Sequence, residues 1–219
     1  MITIDAYKQF MGIKSFPHFD VEYFEPDLSK KYTSGAMSVY DSGKHILRLP
    51  SNYKLTRPLL YHELTHIYDM EMLKNDEKTH DFCLTGYMEY HASQVDLMVR
   101  LDAKNIKDTH SFSICDSIDD QGLTIMDYMD KKFEIAVDML NDSIFNERLN
   151  GLGVLFNFLG LKSICLMYAL DYKDNYKYSS LADSLDSYLL ATVNSFMVGW
   201  DIDVNKAVGL YSNCVKAIK

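Results

Sequence analysis

The chain has 219 residues and a formal net charge of −9, enough length for one large domain or two small ones with a sizeable core. The acidic balance argues against a general nucleic-acid binder, which needs clustered Lys and Arg for phosphate contacts, but leaves room for a basic protein segment as partner. Four widely spaced cysteines (Cys83, Cys115, Cys165, Cys214) form no Cys-x-x-Cys pair, and residues 1–5 bring no basic region into an apolar run, so free thiols in a reducing cytoplasm are expected.

Residues 5–13 read as a short helix, and 21–24 as a strand ended by Pro26. Residues 36–40 and 45–49 flank Asp41-Ser42-Gly43-Lys44, the pattern of a hairpin with a Gly-containing turn, and Pro50 closes it. A small antiparallel sheet is expected here, with an edge strand able to pair with an extended peptide. Thr56 is a suitable helix cap and Pro58 suits the first turn, where its missing N–H is not needed. The helix that follows should run to about Leu73 and carries the most informative residues of the chain, His62-Glu63-Leu64-Thr65-His66.

Two histidines four apart lie one above the other on a helix face, so both imidazoles can take corners of one zinc tetrahedron. Glu63 can then reach the open corner and act as base toward an activated water. A catalytic zinc takes three protein ligands, and a third is expected from a second helix packed beside the first. After a polar turn at 74–80, a helix over 85–104 supplies two competitors, Glu89 and His91. These two lie about 200° apart around a helix and cannot both face one ion. Ala92, one turn after Glu89, is small enough to let the helices approach. Asp69 and Glu71 sit too close to the motif on its own helix to serve, and Asp69 and Met72 break the spacing of a metzincin. Tyr87, Tyr90, His91 and His110 are candidates to stabilise an oxyanion, whereas His18 and His45 read as surface or packing residues of the sheet region.

Residues 105–121 are polar and rich in Asp and Ser, the expected boundary between a first unit over 1–105 and a helical region over 106–219. Apolar periodicity predicts helices over 123–140, 181–198 and 204–218. Residues 151–172 are apolar over a membrane-spanning length, but Asn157, Lys162 and Ser163 interrupt them, so one or two buried helices are expected and no membrane span. The tyrosine-rich stretch 171–180 reads as a solvated loop.

His62, Glu63, His66, Glu89 and Ala92 together resemble the gluzincins, zinc metallopeptidases with HExxH and a downstream glutamate, and among them the compact ImmA/IrrE-type intracellular peptidases of mobile elements and stress responses. The resemblance covers residues 1–105. It implies an α+β zincin-like domain holding one Zn²⁺ on His62, His66 and Glu89, with Glu63 as catalytic base and a protein substrate, such as a repressor. Ser93 stands where many relatives carry Asn or Asp, and no helix-turn-helix accompanies the motif. Two rivals remain at this level: a non-catalytic binding or inhibitor protein that keeps the metal, and a structural zinc site, which needs a fourth protein ligand.

Overall fold

The computed structural model describes residues 3–27, 29, 31–32, 35–51, 55–73, 81–109, 111–181 and 185–218, without the side chains of 81–83. The turn expected at 74–80, His110 and the Cys83 side chain lie outside these residues.

Helix α1 (Ile4–Met11) opens on Thr3, whose side chain accepts a hydrogen bond from the Ala6 N–H, and closes on Gly12 at φ 69°. It buries Tyr7 and Phe10, whose rings meet Tyr61 edge-on at centroid distances of 5.2 and 5.5 Å. Strands β1 (Phe19–Phe24), β2 (Met37–Asp41) and β3 (Lys44–Pro50) follow. Ser42 and Gly43 both have positive φ, 50° and 84°, the pairing that lets a two-residue turn match the twist of a hairpin. Register places Val39 opposite Ile46 and Tyr40 opposite His45.

The sheet is mixed, not antiparallel throughout. Its order is β1-β3-β2, with β1 parallel to β3. The connection from β1 carries the chain past the place of β3 to the far edge, and the hairpin brings β3 back between its two predecessors. Each connection reverses direction, so β1 and β3 point the same way. β2 is left at an edge, against α2.

Helix α2 (Arg57–Leu73) starts with Pro58 in its first turn, and the Thr56 carbonyl accepts from the Leu60 N–H. Helix α3 (Asp81–Arg100) packs on α2 and on α5 (Phe145–Tyr168). It ends earlier than its periodicity suggests, in a turn with Asp102 at φ 53°. The remaining helices, α4 (Ile125–Leu140), α6 (Ser187–Phe196) and α7 (Val204–Ala217), open on Thr124, Asp186 and Asp203, each accepting from backbone N–H groups of the first turn.

The apolar stretch of the second half is one helix. By length and composition α5 is apolar enough to cross a membrane, and 78% of its most apolar window is buried inside the protein. Lys162 within it donates to Tyr178 Oη at 2.9 Å and Asn194 Oδ1 at 2.8 Å and pairs with Asp174, so the buried ammonium is satisfied. Gly160 meets α3 so closely that a β-carbon there would collide with the Tyr90 carbonyl oxygen. The stretch 171–180 is mostly exposed, as expected of a solvated loop, but its tyrosines are half-buried. Tyr176 packs between Phe133 and Phe158 at 4.9 and 4.7 Å, and 178–181 form a 3₁₀ turn. One continuous core runs from Tyr7 to Ile218 and draws on helices from both sides of 105–121.

Candidate metal centre

Helix α2 is fixed from behind. Thr65 Oγ1 donates to the Tyr61 carbonyl at 2.8 Å, so the Tyr7 hydroxyl, 3.0 Å away, donates to Thr65. This anchors α1 to α2 beside His66 and leaves the opposite face of the motif for α3 and β2.

Among the described residues, one group of three side chains is placed to share a metal ion: His62, His66 and Glu89. The two Nε2 atoms are 3.0 Å apart, and Glu89 Oε2 lies 3.5 Å from His62 Nε2 and 3.6 Å from His66 Nε2. Bonds of about 2.0–2.1 Å at tetrahedral angles separate ligand atoms by about 3.3 Å, so the three atoms already span the corners a zinc ion requires. The donor set of two imidazoles and a carboxylate suits zinc and leaves a corner open.

The local field favours a cation. Burial works against the protonated form of His66, yet Glu89, Glu63 and Asp69 raise its pKa to about 9. Burial likewise opposes the Glu89 carboxylate, and the two imidazoles hold its pKa well below the usual range. The His66 Nδ1 atom is buried without a hydrogen-bond partner among the described residues, so packing and Glu89 orient that ring.

Glu89 is itself held in place. Asn157 of α5 donates from Nδ2 to Glu89 Oε2 at 2.6 Å, and Ser93 donates to Asn157 Oδ1. Ser93 therefore reaches the ligand through a side chain from another helix. Sequence reading missed this role of Asn157, which stands out there only as a polar break in an apolar run. Glu63 is buried, with Ser38 of β2 sharing its hydroxyl between Glu63 Oε2 at 2.8 Å and the Glu63 carbonyl at 2.9 Å. The base candidate is thus tied to the edge strand.

The competing residues face elsewhere. His91 Nδ1 lies 2.9 Å from Asp69 Oδ2, and His45 Nε2 lies 2.9 Å from Glu71 Oε2. Tyr90 donates to the Gly199 carbonyl at 2.6 Å, and Tyr87 packs against His91. Neither tyrosine, nor His91, lines the cleft of about 960 Å³ that opens over His62, Glu63, His66 and Glu89. That cleft is bordered by Gly35–Ser38, leading into the edge strand, on one side and by α3, α4 and α5 on the other, with Arg100, Tyr128 and Lys132 among its polar walls. Sequence reading did not single out these three, which carry no motif.

Comparison with family models, curated proteins and solved structures gives no match for this chain.

Proposed function

We propose that the protein is a zinc-dependent peptidase of the gluzincin kind, acting on a protein or peptide substrate. The observation that carries this reading is the placement of His62, His66 and Glu89 within metal-ligand distance in a cleft that also holds the Glu63 side chain. Zinc, when bound there, supplies a Lewis acid that polarises a scissile carbonyl and makes a water molecule acidic. Glu63 takes the proton of the attacking water and returns it to the leaving amide nitrogen. Asn157 keeps the Glu89 carboxylate turned toward the histidines. Strand β2 pairs only with β3 among the described residues, and its residues 37 and 38 border the cleft, which suits an extended peptide laid along its free edge. The resemblance adds a regulatory protein of a mobile element as substrate class and the cytoplasm as the place of action.

The test is Glu63→Gln in zinc-loaded protein, assayed against a peptide library. The variant should keep its metal and lose cleavage by at least about 10²–10⁴-fold. Cleavage unchanged by Glu63→Gln, or no cleavage by the parent zinc protein of any peptide or neighbouring gene product, would favour a non-catalytic metal-binding protein.

A further inference from the structure

The far wall of the same cleft carries a second set of charges. Asp96 follows Glu89 by seven residues on α3, two turns along the same face and about 10 Å along the axis at 1.5 Å per residue. Its carboxylate is already taken: Arg100 Nε donates to Asp96 Oδ2 at 2.8 Å, and Tyr128 Oη donates to the same oxygen at 3.1 Å. The Arg100 guanidinium also lies over the Tyr128 ring, 4.6 Å from its centroid. Lys132, one turn after Tyr128 on α4, borders the cleft and makes no ion pair among the described residues. Burial lowers its pKa, and the carboxylates acting most strongly on it are Asp96 and Glu89.

Both of those carboxylates have other obligations. Asp96 is neutralised by Arg100, and Glu89 faces the two histidines. Glu147 at the start of α5 also lines the cleft. On the α3 and α4 side, with a dication on the triad, Lys132 is the charge left without an ion pair among the described residues, half-buried where desolvation strengthens its attraction for an anion. An acidic chain thus presents a cation inside its cleft.

We propose that Lys132, backed by the Asp96–Arg100–Tyr128 network, is an anion-binding subsite that takes a substrate carboxylate within about three residues of the scissile bond. The limit follows because α4 runs opposite to α3, with Tyr128 at Asp96 and Phe133 at Phe158, next to the Asn157 that meets Glu89. Lys132 therefore lies one turn back from the Asp96 level toward Glu89, inside the span of about 10 Å between those two levels, at about 3.3 Å per residue of extended peptide. The carboxylate comes from an acidic side chain or from the peptide C-terminus. This inference rests on the metal-centre reading above.

The experiment uses short peptides that carry a hydroxamate, a zinc-binding group, at one end or the other. Their affinity for the zinc-loaded protein is measured by calorimetry, so no turnover is needed. Each series compares Glu with Gln at successive positions, and a free C-terminal carboxylate with its amide. The expected result is tighter binding, by about tenfold or more, when a carboxylate stands within about three residues of the hydroxamate. Lys132→Met, similar in length and apolar, should erase that preference, and Lys132→Arg should keep it. Preference for Glu identifies a side-chain source, and preference only for the free acid identifies the C-terminus. Equal binding of charged and neutral peptides, or a preference that survives Lys132→Met, overturns the subsite while the metal centre stands. Failure of every hydroxamate to bind overturns the metal centre, and the subsite with it.

Discussion

Replacing Asn157 with Leu tests whether the metal centre depends on a helix outside its motif. The substitution keeps the branching and heavy-atom count of the side chain but removes the amide that donates to Glu89 Oε2 at 2.6 Å and accepts from Ser93. A hydrogen bond to a carboxylate is worth about 1.5–3 kcal/mol, and loss of a partner that orients a metal ligand typically lowers affinity about 10–100-fold. That range corresponds to about 1.4–2.8 kcal/mol. The zinc-free fold should lose less, because Leu suits the apolar environment of α5, Ser93 loses one acceptor, and Glu89, which loses one donor, still faces the two histidines. The assay is competition for zinc against a chromophoric chelator near neutral pH, beside thermal unfolding of the metal-free proteins. Zinc affinity within about threefold of the parent, in a variant that unfolds like the parent, would refute the view that Asn157 positions Glu89.

The ligand set itself is tested by single substitutions. His62→Ala, His66→Ala and Glu89→Ala should each abolish stoichiometric zinc in metal analysis, whereas His91→Ala should keep it and lower stability through loss of the Asp69 contact; the opposite pattern for residues 89 and 91 would move the third ligand. Acidity gives an independent check. In the metal-free protein burial opposes the His66 cation, but Glu89, Glu63 and Asp69 raise its pKa from 6.5 to about 9, so its contribution to stability is complete below pH 6.5 and disappears as the pH climbs through 9. Zinc must displace that proton, so chelator competition at a series of pH values should show affinity rising by up to about tenfold per pH unit across this window; a flat profile would contradict the placement of His66 in the ligand set.

The legible part of the site is the part written in local spacing. His62 and His66 share a face because four residues is close to one helical turn, and nothing else in the fold is needed to see it. Glu89 was legible only through the pattern it heads with Ala92, since spacing alone left His91 in contention. Asn157, Ser38 and Lys132 were not legible, because each joins the cleft through a meeting of elements distant in sequence: α5 over α3, β2 against α2, and α4 reaching α3 through the Tyr128–Asp96 hydrogen bond. The hairpin was readable from Ser42-Gly43 and its flanks. The place of β1 beside β3 was not, as strand order depends on a connection whose path no local signal specifies. The start of α5 was hidden for a different reason. Asn146, Glu147, Arg148 and Asn150 give its first turns a polar face, and Arg148 donates to the Ile218 carbonyl, so apolar periodicity marks only the buried remainder. Tyr176 and Tyr178 carry no local signal of burial, yet Tyr176 packs against Phe133 and Phe158 and Tyr178 against Phe133.

Gly160 has a bearing on heredity that its chemistry would not suggest. It contributes no ligand, no proton and no hydrogen-bonding side chain, yet it lies three residues, about one turn, from Asn157 at the point where α5 touches the Tyr90 carbonyl. Any side chain there levers α5 away from α3 and draws Asn157 off Glu89. A genetic screen for lost metal would therefore return this glycine together with the ligands themselves, and descendants of this gene would be free to redraw much of their surface before they were free to change it.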